Sequence, residues 1–375
     1  MKPFDLAFIG LGAAAMSLVT RLADSRYSGR VALIEPVPDP GDDRTWCGWP
    51  MNDHPFSHRA TRRWSQWAVS NARDEVTAGS REMPYEMLRS SDVRSVAMAA
   101  IAGRDDWVLL AGRALADARK TEDGWRLTLD DQSEVEALWV LDARPPKLNL
   151  SRPWVWQSFV GAEISGPRMG DPDQVRLMDF VDDAQPVASF FYELPIDPRR
   201  RLIEFTRFTP TPADPAEMRE QVDGLIRRRG WQNARVIRTE QSHLPMAPIP
   251  GYDRDQWVRI GTAGGSMRPA TGYAFHAIQH WADGAAAALL EGRSPPAPTR
   301  PGWLDWLDGV FLESLWAGPA TASDQFVQLF RRVPPDALSR FLMARGRPLD
   351  TLKVLNSLPV APMLAAAWRH TRRRS

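Results

Sequence analysis

Cysteine is almost absent from this chain: one residue, Cys47, in 375. That excludes a disulfide framework and suits a reducing compartment. Charge of one sign is lacking too, with 47 Lys and Arg against 46 Asp and Glu, so no overall field recruits nucleic acid. No run approaches the roughly 18 apolar residues of a spanning helix. Residues 6–20 are uncharged and of signal-like length, but Gly10 and Gly12 interrupt them and Asp5 precedes them, which marks domain core. Tyrosine is scarce, at five residues, whereas Trp reaches 16 and Pro 32. Trp combines a large apolar area with a flat face for ligands or cations, so this excess points to a greasy substrate or a membrane surface. The balance of 43% hydrophobic and 25% charged residues is that of a globular protein and excludes a disordered or fibrous chain.

Phe4–Ile9 is an apolar run suited to a buried strand, broken by Gly10-Leu11-Gly12. Ala13–Ala23 then carries Ala14, Leu18 and Leu22 on one helical face, and Val31–Glu35 is a second buried strand ending in an acid. This βαβ unit has the GxGxxA form. Gly10 permits the tight turn, Gly12 lets the backbone approach a pyrophosphate, and Ala15 lets helix pack on strand. Glu35 stands where an acid accepts hydrogen bonds from ribose hydroxyls and argues against a ribose phosphate. Arg44-Thr45-Trp46-Cys47-Gly48-Trp49 follows: either a segment reaching back over the cofactor with aromatic surface, or a surface loop with one buried Trp. Cys47, with no basic partner beside it, reads as core.

Further strands are expected at Trp107–Ala111 and Trp125–Leu129, as a hairpin layer, and at 137–141, 158–164, 175–180, 187–193, 202–208 and 257–260. Helices are expected over 215–229, 273–291, 303–316, 323–332, 335–344 and 349–358. A second glycine cluster, Gly261-Thr262-Ala263-Gly264-Gly265, precedes Thr271-Gly272-Tyr273. It is either an ordinary strand-to-helix turn or a second contact to a large dinucleotide, and a cofactor spanning two distant segments fits FAD better than NAD. In residues 202–208, Glu204, Thr206 and Phe208 share one strand face, and Ile203, Phe205 and Arg207 the other. Glu204 is a proton donor if apolar walls raise its pKa, or half of an arginine ion pair if they do not. His276 and His280 lack an evident third ligand, so no metal is expected.

In this order the segments resemble the flavoprotein lycopene cyclase family, particularly its bacterial β-cyclases. The resemblance spans nearly the whole chain and is carried by Gly10 to Ala15, Arg44-Thr45-Trp46-Cys47, Leu141-Asp142-Ala143-Arg144, Leu177-Met178-Asp179-Phe180, Ile203-Glu204-Phe205-Thr206, Ile260-Gly261-Thr262-Ala263-Gly264, Thr271-Gly272-Tyr273-Ala274-Phe275, Leu329-Phe330 and Leu358-Pro359. It implies an α/β, Rossmann-like FAD-binding fold with an interleaved β-rich substrate domain and a helical C-terminal cap. The expected division is 1–60, 90–145 and 240–295 for the cofactor, 61–89 and 146–239 for substrate, and 296–375 for the cap. It further implies reduced FAD held by Gly10, Gly12, Ala15, Glu35, Arg44, Gly261, Gly264, Gly265, Thr271 and Gly272, with NAD(P)H as electron source. Glu204 inherits the acid role, and Trp46, Trp49 and Phe205 are candidates for the apolar wall.

The implied reaction is a redox-neutral cyclisation: protonation of a terminal double bond of lycopene, attack by the neighbouring double bond, and proton loss to a β-ring. Phe205 stands where plant relatives carry a second glutamate, and Thr262 where related flavoproteins place an aspartate, so neither of those contacts carries over. A cyclase of another polyprenoid, a flavin monooxygenase on the same fold and a non-catalytic binder are the alternatives. A polyene partner is confined to the bilayer, which implies a cytoplasmic protein resting on the inner membrane. The tail, with Met363, Leu364 and Trp368 before Arg369, Arg372, Arg373 and Arg374, is the expected anchor; the apolar stripe of 303–316 is either core or a second contact.

Overall fold

A computed structural model describes residues 2–167, 169–181 and 187–374. The chain is mixed α/β with helices gathered at its C-terminal end. Five parallel strands form the first sheet's core, in the order Trp257–Arg259, Glu134–Asp142, Phe4–Ile9, Val31–Glu35 and Trp107–Ala111. Val31–Glu35 is apolar until its last residue because both of its faces are covered. Trp107–Ala111 therefore belongs to the parallel sheet, not to the expected hairpin layer. The hairpin is instead made by Leu115–Lys120 and Trp125–Leu129, which pair antiparallel with each other and with Glu134–Asp142. Helices Ala13–Ala23 and Phe275–Leu290 pack together on the sheet, and Leu18, Leu22, Ile278 and Ala282 bury their shared seam.

The second sheet runs Arg235–Met246, Val155–Ser165, Arg200–Thr209, Ala188–Asp197, Gln174–Phe180, Gln66–Ser70 and Glu75–Gly79. Its pairs are antiparallel except the one between Gln174–Phe180 and Gln66–Ser70. One face is closed by helix Pro215–Arg228, whose Met218, Val222 and Leu225 meet Val160, Ile203, Phe191 and Phe205. That helix starts as its sequence dictates, with Pro215 in the first turn and the Asp214 carboxylate accepting from the Ala216 N–H at 2.9 Å. The opposite face is covered by helices Gly302–Ala317, Pro319–Arg332 and Pro335–Leu342. A three-stranded sheet of Thr45–Gly48, Tyr85–Arg89 and Arg62–Trp64 lies beside both.

Two buried ion clusters fasten the cap. Arg268 makes a two-pronged pair with Asp308, at 2.7 to 3.1 Å, and donates to the Phe341 carbonyl. Glu313, fully buried, accepts from Arg152 and Arg369 at 3.0 Å, and Arg373 lies 3.8 Å away. Arg369 of the expected membrane anchor thus pairs with a buried acid while Arg373 stays exposed, and the tail is not loose: Val360–Arg374 is a helix packed on Gly302–Ala317. The Arg374 side chain lies outside the described residues.

Candidate active site

The two glycine clusters meet in space although about 250 residues of chain separate them. A side chain at Gly261 would come within 3.2 Å of the Ala14 methyl, and one at Gly10 within 3.7 Å of Ala143. Gly261, Gly265 and Gly272 all have positive φ, at 63°, 86° and 71°. The Gly261–Gly264 segment is a short 3-10 turn, and the long helix begins only at Phe275. Thr271 and Gly272 lie between, with Gly272 against the Gln157 side-chain amide. Ala15 is completely buried where the first helix meets its sheet. That helix has no capping side chain and no acid in its first turn, and nothing lies within 4 Å of where a Gly12 side chain would project. Its first N–H groups face an open, electropositive position suited to a phosphate. Glu35 accepts from the Leu11 N–H at 2.6 Å and from the Val37 N–H at 3.0 Å, tying the strand end to the glycine turn. Arg44 is exposed and pairs with Asp43 at 3.1 Å.

Glu204 lies on the strand Arg200–Thr209, on the face away from helix Pro215–Arg228. Strand register places Tyr192 on one side of it and Gly161 on the other, with Glu240 the next residue beyond Gly161. Thr206 donates to one Glu204 oxygen at 3.1 Å. Burial first, and then the Glu240 carboxyl, push the Glu204 pKa well above the usual carboxylate range, which favours the protonated form. Burial likewise raises Glu240, against the pull of Arg238 and Thr45. Cys47 stands near both carboxyls; burial and their charge push its thiol up and keep it protonated.

The Glu204 face of the sheet continues into an apolar cavity of about 380 Å³ lined by Phe190, Tyr192, Phe208, Tyr273 and Phe311, among others. Its far end, at Leu355, Val360 and Leu364, reaches exposed apolar residues. The residues expected to wall the substrate lie differently. Phe205 is fully buried beneath helix Pro215–Arg228, the consequence of strand alternation, and does not line the cavity. Trp46 stacks on Phe275, centroids 5.2 Å apart, on the cofactor side. Trp49 is buried among Trp67, Tyr85 and Tyr273, touching the cavity only through the Tyr273 ring. The aromatic wall is thus built from Tyr192, Phe208 and Tyr273. Glu240 is the site residue that sequence reasoning missed; an acid flanked by Thr239 and Gln241 in a polar stretch gives no alternation to mark its strand.

His54, Glu86 and His276 bring one ligand atom each within 4.8 Å of one another, the third partner that was not evident for His276. Hydrogen bonding holds two of the three, His54 and Glu86, to each other. Phe56 N–H donates to His54 Nδ1 at 3.3 Å, which places the ring proton on Nε2, 3.2 Å from Glu86. Arg63 donates twice to the other Glu86 oxygen, at 2.6 and 2.9 Å. Burial lowers the His276 pKa to about 4, so its ring is neutral.

This architecture is the fold of flavin-dependent enzymes. It is similar to a geranylgeranyl bacteriochlorophyll reductase-like protein from Thermoplasma acidophilum (TM-score 0.69, 14% identity, covering 97% of this chain and 98% of that one). It is also similar to the flavin-dependent brominase Bmp2 (TM-score 0.65, 15% identity, 99% and 100%). Residues 5–368 match the family described as lycopene cyclase protein, and the chain belongs to that family. A lycopene beta-cyclase from Pantoea ananas is 25% identical over 389 residues, covering 98% of each chain. The protein is therefore an enzyme of the lycopene cyclase type.

Proposed function

We propose that this enzyme binds FAD and converts the acyclic ends of lycopene to β-rings without net redox change. The observation that carries this reading is a buried carboxyl, Glu204, set beside a second carboxyl on the sheet face whose Tyr192 and Phe208 line an aromatic, apolar cavity. Glu204 donates its proton to the terminal double bond. Tyr192, Phe208 and Tyr273 present ring faces to the resulting tertiary cation and exclude water that would trap it as an alcohol. The residues present fit a dinucleotide: the uncapped helix at Gly12 suits its pyrophosphate, Glu35 its ribose, and the turns at Gly261 to Gly265 and at Thr271-Gly272 its other half. Reduced FAD, with NAD(P)H as electron donor, would supply negative charge beside the cation.

The deciding experiment is anaerobic incubation with lycopene and dithionite-reduced FAD, followed by product analysis. β-Carotene formed in excess over reductant is the expected result. An oxygenated product requiring stoichiometric NAD(P)H and oxygen supports a monooxygenase instead, and unchanged lycopene supports a binder.

The same reading requires contact with a bilayer, since that is where the substrate dissolves. None of the described helices is long and apolar enough to cross a membrane. The cavity is lined at this end by Val360 and Leu364, and Trp368 follows them at the same spacing of four on one helical face, each more than 60% exposed. This lip, rather than the tail arginines, is the proposed anchor. A Leu364→Ser, Trp368→Ser double variant should bind vesicles roughly thirtyfold more weakly, the equivalent of about 2 kcal/mol of apolar burial. Unchanged co-sedimentation of that variant with vesicles would remove the lip from consideration.

A further inference from the structure

Among the described residues Glu204 makes no salt bridge, and the arrangement around it explains why. In the row Tyr192, Glu204, Gly161, Glu240, the third position has no side chain. A methyl at Gly161 would lie 3.1 Å from the Glu240 Cγ, in the space over which the two carboxyls reach each other. Of the Glu240 oxygens, Oε2 accepts from Thr45 Oγ1 and from Arg238, both at 2.8 Å. Arg238 also donates to the Thr45 oxygen at 2.5 Å, which orients the hydroxyl proton toward Glu240. The other oxygen, Oε1, is buried and receives no donor from any described residue whose hydrogen position is fixed. The proton of the facing Glu204 carboxyl is placed to satisfy it.

We propose that Glu240 is the positioning residue for the catalytic acid, presenting a fixed oxygen across the gap at Gly161 so that the two carboxyls hold one proton between them. This rests on the cyclase reading for its catalytic meaning, but the shared proton does not depend on it. The charges facing the pair decide where that proton stays. Arg238 pairs with Glu240, Glu163 and Asp42, and Arg89 pairs with Glu163 and Asp42. Three carboxylates thus already outnumber two guanidiniums. Thr45 and Cys47 from the small sheet, and Tyr192 from the neighbouring strand, bring no positive charge. A further negative charge on Glu204 meets only the pull of Arg238, which those carboxylates already share. Donation moves the proton from the Glu204 oxygen to the inner carbon of the terminal double bond, forming a C–H bond at the expense of the π bond and leaving the cation on the dimethyl-substituted carbon. Two adjacent carboxylates remain, and their repulsion favours recapture of the proton that breaks from the ring carbon after closure. Protons balance over the cycle and no electron is transferred.

The test is infrared titration of the full-length, FAD-loaded protein, following the C=O stretch of a neutral carboxylic acid, alongside the pH–rate profile. The wild-type band should persist through neutral pH and vanish in Glu204→Gln. In Glu240→Gln it should disappear about one pH unit or more lower, with the alkaline limb of the rate moving by the same amount, and Glu240→Asp should restore most of the difference. Should Glu240→Gln fail to fold, Gly161→Ala moves the band in the same direction while removing no charge. A band and rate limb that titrate in these variants as in the wild type overturn the proposal. A shifted band in a protein that does not cyclise lycopene leaves the carboxyl pair standing and overturns the cyclase reading instead.

Discussion

The Glu204→Gln protein is expected to fold and retain FAD yet cyclise lycopene about 10²–10⁴-fold more slowly, the usual contribution of a positioned proton donor. Gln matches Glu in shape and can still accept from Thr206, so packing is preserved and only the transferable proton is lost. The direction of the pH dependence follows from the same chemistry. The active form is protonated, so the wild-type rate falls as pH rises through the Glu204 pKa. Burial and Glu240 place that fall well above the range of an ordinary glutamate. Near-normal turnover in the variant, measured by carotene analysis at neutral pH, would show that the proton comes from another group.

Gly12→Val should abolish stable flavin retention while leaving the apoprotein folded. The position tests ligand approach cleanly: its φ of −76° and ψ of −177° are extended, and no protein atom lies within 4 Å of the added Cβ. What the new methyl groups meet is the space above the helix N-terminus, where the pyrophosphate belongs. Forcing such groups into a close contact costs about 1–3 kcal/mol, or roughly one to two decades of affinity. Flavin absorbance after reconstitution and desalting measures it, with circular dichroism as the folding control. Full flavin retention by the variant would place the cofactor elsewhere.

Much of the fold was legible because its signals are local. Ala13–Ala23, Val31–Glu35, Trp107–Ala111 and Trp125–Leu129 have the bounds their apolar patterns dictate. Which sheet Trp107–Ala111 would join was not legible, since a short apolar strand fits a parallel edge and a hairpin equally well. Strand Arg235–Met246 escaped for a different reason. It is a sheet edge whose Arg238 and Glu240 are balanced by residues far away in sequence, so no alternation of apolar and polar side chains marks it. The acid's face was legible from strand parity. The same parity rule puts Phe205 under the neighbouring helix, although motif position alone had set it beside substrate. The second carboxyl was out of reach because it arrives through register: two strands and a glycine bring 204 and 240 together.

The Arg268–Asp308 pair bears on how a long molecule can be worked at both ends. Arg268 belongs to the segment between the two glycine turns, Asp308 to the helical cap, and both are almost completely buried. Breaking such a pair costs about 3–5 kcal/mol when one partner is left unmatched. The cap is therefore latched to the cofactor side and does not swing open to admit a polyene broadside. On the cyclase reading proposed above, a polyene would enter by threading, end first, through the opening at Leu355, Val360 and Leu364. A chain threaded from one end shows the acid only that end. Two rings then require two separate visits in opposite orientations, with a one-ringed carotene returning to the lipid in between.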